Sequence, residues 1–254
     1  MHPLGPVVRK ALVFYPYDQA RTVARGWRDL TAQLPDTVSP EFVLWSIPAD
    51  PAIPAALHGA PVVIVGAVYA GDPADAGPVL APLAELGTPL MQGGGDVHYA
   101  EMQQALDPAF PAGGRYFFKS HFVRELTDDA IDTMIACDAR RATPQSLMVI
   151  RTLGGAVDRV DIEESAYPHR GARYNLSIDA GWTDPALDDT AIGWARSSWD
   201  ALREFATGGV YVNFAGLDEE SGRDAVFGQS TDRLDEVQAS YDPDGLFAAA
   251  ARRP

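Results

Sequence analysis

The stretch from Arg173 to Trp182 contains residue types that can move protons and bind polar groups. Large residues alternate there with small or polar ones, which is the period-two pattern of a strand with one buried face. The other face carries the short polar side chains of Asn175, Ser177 and Asp179. An amide, a hydroxyl and a carboxylate together can line a concave site, and a solvated strand face is the equal alternative.

Other patterns that would indicate a reaction type are missing from the sequence. No Ser-His-Asp order or nucleophile elbow occurs, so nucleophilic hydrolysis is not expected. Gly93-Gly94-Gly95 has neither the Lys-Ser/Thr nor the G-x-G-x-x-G context of a phosphate loop. No metal site is expected either, because the five histidines lack ligand-like spacing: His2, His58, His98, His121 and His169.

The composition bears on possible partners and on the cellular compartment. Lys plus Arg number 20 and Asp plus Glu number 35, and the net charge of −15 repels nucleic acid and anionic membrane surfaces. No signal peptide and no stretch of about 18 apolar residues occurs. The single cysteine, Cys137, excludes an internal disulfide and is expected to be a buried, inert thiol. A cytoplasmic protein with no nucleic-acid or membrane partner is predicted.

The predicted elements form a repeated pattern. Strands are predicted over 7–15, 41–47, 61–69, 115–122, 145–152, 173–182 and 209–214. Helices are predicted over 19–34, 73–86, 99–106, 127–138, 184–205 and 230–239. Two tandem β-α-β-β-α units indicate an α+β fold, a single antiparallel sheet of about seven strands with helices on one face.

The second face of such a sheet has no helical cover. A large open apolar face is a binding surface, a dimer interface or the floor of a cleft. We expect a homodimer through this face, or a pocket capped by the loops 87–114 and 154–172. Near the end of the chain, a turn over 242–247 is expected to tuck Leu246 and Phe247 inward.

Six motifs follow one another along the chain. They are Lys119-Ser120-His121-Phe122, Gly154-Gly155, Tyr167-Pro168-His169-Arg170, Tyr174-Asn175, the Gly-Gly-Val-Tyr-Val-Asn-Phe segment 208–214 and the Tyr-Asp-Pro-Asp-Gly-Leu-Phe segment 241–247. Together they resemble the berberine bridge enzyme-like family of FAD-linked oxidases. The resemblance covers nearly the whole chain, in order.

The resemblance implies a domain organisation. Family members have an N-terminal FAD-binding domain, often with covalently attached flavin, followed by a substrate domain with a seven-stranded antiparallel sheet. Residues 2–6 are similar to the entry into the substrate domain, so the FAD-binding domain is expected to be absent. Residues 1–254 then form one domain, with a sheet-and-helix body over 1–206 and the family's C-terminal segment over 207–254.

The departures from the family pattern suggest that the redox chemistry is lost. The resemblance places Asn175 where plant members have a Glu, Phe214 where some members have a basic Tyr, and Arg151 at a substrate-facing Tyr. Alanines and arginines over 248–253 replace a tail that contacts the flavin. Neither Asn nor Phe acts as a general base. No cofactor is expected, with FAD only if a partner domain supplies it.

The candidate catalytic residues are Arg151, Asn175 and Asp179. Arg151 would stabilise a developing oxyanion with Asn175 and Ser177 as donors, and Asp179 would act as a base if burial raises its pKa. The equal alternative is an Arg151–Asp179 pair that only satisfies two buried charges. A solvated side chain is the alternative for Lys119. The candidate substrate contacts are Lys119, Ser177, Val212 and Phe214.

The leading hypothesis is a cofactor-free cyclase or isomerase that acts on an apolar, polyketide-like secondary metabolite. Its catalysis would rest on holding a flexible chain in a reactive conformation and on stabilising charge. One alternative is a substrate-binding subunit of an FAD-dependent oxidoreductase that a separate FAD domain completes. Another is a non-catalytic binding or vestigial protein.

Overall fold

The computed structural model describes residues 4–49, 51, 53–214 and 222–247. Its strands are β1 (Val7–Pro16), β2 (Val38–Ser46), β3 (Pro61–Tyr69), β4 (Met91–His98), β5 (Arg115–Val123), β6 (Leu147–Thr152) and β7 (Tyr174–Trp182). Its α-helices are α1 (Ala20–Thr31), α2 (Ala76–Leu80), α3 (Tyr99–Gln104), α4 (Asp128–Asp138), α5 (Ala156–Arg159), α6 (Asp188–Leu202), α7 (Arg223–Phe227) and α8 (Thr231–Tyr241).

The seven strands form one antiparallel sheet in the order β4-β1-β3-β2-β6-β7-β5. The predicted α+β class and the single sheet are therefore confirmed. The first half of the chain begins with β1, α1, β2 and β3, and the second half begins with β5, α4, β6 and β7. The two halves meet where β2 pairs with β6. Within the described residues, no helix is both long and apolar enough to cross a membrane.

Helices α1, α2, α4 and α6 pack on one face of the sheet and enclose the larger hydrophobic core. Trp27 of α1 lies at its centre, with ring centroids 5.9 Å from Phe42 and 6.1 Å from Tyr174. Trp194 of α6 donates a hydrogen bond to the Cys137 carbonyl oxygen, which ties α6 to α4. The Cys137 side chain is buried in this layer, as the sequence predicted.

We call the opposite side of the sheet the open face. It carries a smaller apolar cluster of Phe14, Val43, Ile47, Val62, Ile64, Leu147 and Val149. Phe110, in the connection between β4 and β5, stacks on Trp45 at the border of this cluster. A loop thus covers part of the open face, and the homodimer through this face stays a prediction.

The seventh strand differs from the one that the sequence predicted. Residues 91–98 form β4 at the edge of the sheet, where a loop was expected, because three consecutive glycines lower strand propensity. The predicted strand over 209–214 is wrong. Its alternating apolar residues end in a 3-10 turn, Val212–Phe214, and the Val210 amide bonds to the Ala225 carbonyl oxygen instead of a neighbouring strand.

The turn after α8 does not bury its apolar residues, contrary to the prediction. The Asp242 carboxylate accepts hydrogen bonds from the backbone amides of Leu246 and Phe247, which closes the turn. Leu246 is 76% exposed and Phe247 is 79% exposed. The alanine and arginine tail over 248–253 lies outside the described residues.

Gly94 allows β4 to approach β1 closely, and we predict that Gly94→Ala destabilises the fold. Gly94 has a φ of 118°, and a Cβ there would overlap the Lys10 carbonyl oxygen. We expect a loss of about 1–3 kcal/mol in the free energy of unfolding, measured in urea. Gly93→Ala is the matched control, because a Cβ at Gly93 meets no atom within 4 Å. Equal effects of the two substitutions would contradict this explanation.

Candidate functional site

The floor of the candidate site is strand β7, whose nine residues are all buried. Its large side chains face the helices, and Asn175, Ser177 and Asp179 face the other way. The adjacent strands complete the floor, with Arg151 of β6 opposite Asn175 and Phe118 of β5 opposite Asp179. The face shared by the three polar residues is therefore part of the open face.

Arg151, Ser177 and Asp179 form a hydrogen-bonded relay. Arg151 Nη1 donates to Ser177 Oγ at 3.0 Å, and Ser177 Oγ donates to Asp179 Oδ2 at 3.2 Å. The two charged groups are thus linked through a hydroxyl. Asp179 Oδ1 is buried and has no hydrogen-bond partner among the described residues, so its capacity to accept a hydrogen bond is unused.

Burial raises the pKa of Asp179 from its ordinary value of 3.8 to about 6, although Arg151 and Ser177 act in the opposite direction. The residue is only 6% exposed. A carboxyl group with this pKa is mostly ionised at pH 7 and is a stronger base than a solvated aspartate. This is the property that general-base catalysis near neutral pH requires.

The C-terminal segment places an aromatic ring over the relay. The Phe214 ring lies 5.8 Å from the Arg151 guanidinium carbon and packs edge-on against Phe118. His169 fixes the course of this segment, because its ring stacks on Phe122 and its Nε2 lies 2.8 Å from the Val226 carbonyl oxygen. His169 is therefore structural, and burial lowers its pKa.

Five of the seven candidate residues come together on the open face, and two do not. Arg151, Asn175, Ser177, Asp179 and Phe214 are the five. Lys119 lies on the opposite face, 5% exposed, with its Nζ 4.5 Å from the centre of the Trp199 ring in α6. It therefore neither faces the site nor is solvated. Val212 is 50% exposed in the turn that carries Phe214.

Sequence reasoning missed three residues of this face. Ser120 pairs with Ser177 across β5 and β7, is 1% exposed, and its hydroxyl has no partner among the described residues. Glu41 lies opposite Arg151, and its carboxylate reaches over Gly66. Phe118 forms a wall beside Asp179. The alternation of side chains within 115–122 indicates that Phe118 and Ser120 share one face of the strand. It does not show which residues of β7 they pair with, because that depends on the register between the two strands.

The polar groups are spread along β7 and do not converge on one point. Asn175 and Asp179 are four positions apart along the strand, which corresponds to about 13 Å between their Cα atoms. Ser177, with the end of the Arg151 side chain, lies halfway. Asn175 and Asp179 therefore cannot bind the same ligand atom, and the expected oxyanion group of Arg151, Asn175 and Ser177 is not formed because Ser177 already bonds to Asp179.

The described residues provide neither a metal site nor a cradle for the phosphates of FAD. No group of three His, Cys, Asp or Glu side chains in this part of the chain is placed to hold a metal ion. The glycine triplet is paired with β1, and helices α4, α6 and α8 have aspartates in their first turns, which disfavour phosphate. Neither of these two features suits the phosphate groups of FAD.

Comparisons with known proteins bear on the family. Residues 210–251 match the family model described as "Berberine and berberine like". The uncharacterized FAD-linked oxidoreductase YvdP of Bacillus subtilis is 22% identical over 92% of this chain and 51% of its own length. The chain spans about half the length, or less, of the curated relatives that it matches.

Solved structures share the fold over nearly the whole chain. BBE-like 1 of Physcomitrella patens superposes with a TM-score of 0.77 and 16% identity, over 95% of this chain and 53% of that one. The chain resembles the berberine bridge enzyme-like FAD-linked oxidoreductases, as the sequence predicted. GilR, an oxidoreductase that catalyses the terminal step of gilvocarcin biosynthesis and was solved with pregilvocarcin, has a TM-score of 0.75 and 18% identity, over 96% of this chain and 56% of its own.

The raised pKa of Asp179 predicts how stability depends on pH. The native state binds this proton more tightly than the unfolded chain, so stability relative to Asp179→Asn falls as pH rises from about 4 through about 6. The expected decrease is up to about 3 kcal/mol. It is measured by urea unfolding of both proteins between pH 4 and pH 7. A difference that does not change with pH would contradict the raised pKa.

Proposed function

We propose that the open face of this berberine bridge enzyme-like chain binds an apolar, enolisable substrate and that Asp179 accepts a proton from it. The observation that carries the proposal is the free Oδ1 of a buried carboxyl group whose pKa is about 6. Such a group can take a proton from carbon next to a carbonyl. The Phe118 and Phe214 rings supply the apolar surroundings.

The charge that develops on the substrate would be stabilised by Arg151. Its Nη1 bonds to the Ser177 hydroxyl, which in turn bonds to Asp179 Oδ2, so the guanidinium nitrogen lies within roughly 6 Å of that carboxylate oxygen. That separation suits a carbonyl oxygen at Arg151 and its α-carbon at Asp179. The proton moves to Asp179 Oδ1, the electron pair of the C–H bond moves toward the carbonyl oxygen, and the guanidinium stabilises the resulting enolate.

Two functions use this proton transfer, and one observation favours each of them. The similarity to FAD-linked oxidoreductases favours the substrate-binding part of such an enzyme, in which FAD, when bound, supplies the hydride acceptor. The base and the arginine on one face favour a cofactor-free cyclase or isomerase, because proton transfer needs no redox group. In either case we take a polyketide-like secondary metabolite as the substrate, and the role of GilR in gilvocarcin biosynthesis supports a biosynthetic intermediate.

Proton transfer is tested by deuterium exchange into 2-tetralone, an enolisable aromatic ketone, in ²H₂O. We expect exchange that depends on protein and rises with pH through about 6, as Asp179 ionises. Asp179→Asn should slow it by about 10² or more. Asp96→Asn, at the edge of the sheet, is the matched control and should leave the rate unchanged. Equal rates in the wild type and Asp179→Asn would refute the proposal.

A second measurement distinguishes the part of an FAD-linked oxidoreductase from the cofactor-free cyclase or isomerase. Absorbance of the purified chain between about 350 and 500 nm reports bound oxidised flavin. Turnover of a pathway intermediate without flavin supports the cyclase or isomerase. Turnover that begins only when a flavin-bearing protein is added supports the oxidoreductase.

A further inference from the structure

A cavity of about 360 Å³ lies where the connection between β6 and β7 meets the C-terminal segment. Its volume falls within the range of small-molecule sites, roughly 300–1,000 Å³. Arg170 lines it from the connection, Gly208 and Gly209 line it from the C-terminal segment, and Arg124 lines it from the end of β5. None of the described residues that line it belongs to the relay of the candidate site, so the two sites share no side chain.

The two arginines of this cavity have charges that no carboxylate offsets within the described residues. Arg124 is exposed and forms neither an ion pair nor a hydrogen bond in this part of the chain. The two Nη atoms of Arg170 donate to the Val157 carbonyl oxygen and the Ser165 hydroxyl, which are neutral acceptors. Arg170 Nε is buried and has no partner among the same residues. One guanidinium is thus unoccupied, and the other has an unused donor.

The charge of the cavity is positive. Asp224 is the acidic residue among the described residues that line it, and its Oδ1 accepts a hydrogen bond of 3.4 Å from the Thr231 hydroxyl. His169 also lines the cavity, and it is uncharged at pH 7 because burial lowers its pKa. Two arginines against one aspartate leave a positive site in a chain whose net charge is −15.

A second cavity shows how this chain neutralises arginines elsewhere. That cavity is lined by Arg28 and Arg173, and also by Asp29 and Asp128. Arg28 Nε lies 2.8 Å from an Asp29 oxygen, and its Nη1 lies 2.7 Å from an Asp128 oxygen. Its charge is therefore offset within the fold. The cavity at Arg124 differs, because its two arginines form no ion pair among the described residues.

The chemistry of the guanidinium indicates which anion suits this cavity. One arginine fork engages both oxygens of a carboxylate, so a second arginine calls for a second carboxylate. We propose that the cavity binds a small dicarboxylate, with one carboxylate at the Arg124 guanidinium and the other at Arg170 Nε. Gly208 and Gly209 contribute only backbone to the wall, which leaves room for a short carbon chain. The ligand links the β6–β7 connection to the C-terminal segment.

The test measures binding of succinate, glutarate and butyrate to the full chain by titration calorimetry at constant ionic strength. We expect succinate or glutarate to bind about tenfold more tightly than the monocarboxylate butyrate, the effect of one charge-assisted hydrogen bond. Arg124→Gln should remove this preference. It should leave the urea midpoint of the free protein unchanged, because Arg124 has no partner to lose. Arg124→Lys keeps the charge without the fork and should retain part of the preference.

Arg173→Gln is the matched control, because it removes the same charge from an arginine that lines the other cavity. It should bind the dicarboxylates as the wild type does. Equal losses of affinity in Arg124→Gln and Arg173→Gln would indicate a general charge effect and would overturn the inference. So would equal affinities for the three probes, no binding of any of them, or tighter binding of phosphate. Deuterium exchange into 2-tetralone involves neither arginine, so any of these results leaves the proton-transfer proposal standing.

Discussion

The burial of β7 on both faces is the constraint on which the site depends. A carboxylate in such a strand is unfavourable unless hydrogen bonds and a nearby cation offset its desolvation. Arg151 provides the cation and Ser177 provides the hydrogen bond. Because the hydroxyl lies between the two charges, the carboxylate is stabilised at one oxygen only. A direct bidentate pair with arginine would have stabilised the carboxylate further and occupied both oxygens.

Much of the fold was predictable from local pattern. Six of the seven strands follow from apolar and β-branched residues in short runs, and β3 has the predicted bounds. The seventh strand could not be found in this way. Residues 93–95 form a strand because they fit against the backbone of β1, which is a tertiary reason. Conversely, the alternation over 209–214 suits a strand, but the Val210 amide donates a hydrogen bond to the Ala225 carbonyl oxygen of α7, which holds the chain elsewhere.

The site was predictable where strand parity sufficed. Parity alone places Asn175, Ser177 and Asp179 on one face. It could not show that Glu41 opposes Arg151, or that Ser120 opposes Ser177, because register is set by pairing across strands. Lys119 illustrates the same limit. It stands next to Ser120 in one motif, yet neighbouring residues of a strand point to opposite faces, and its ammonium meets Trp199 in the helical layer.

The lone cysteine has a practical consequence. Cys137 is sealed between α4 and α6, under the hydrogen bond from Trp194, and is the one thiol in the whole sequence. A thiol introduced at the partly exposed Tyr116, on the rim of the open face, would therefore be the one that reacts with a label in the native protein. A spectroscopic reporter can therefore be attached on the same face as Asp179 without replacing any natural residue of the core.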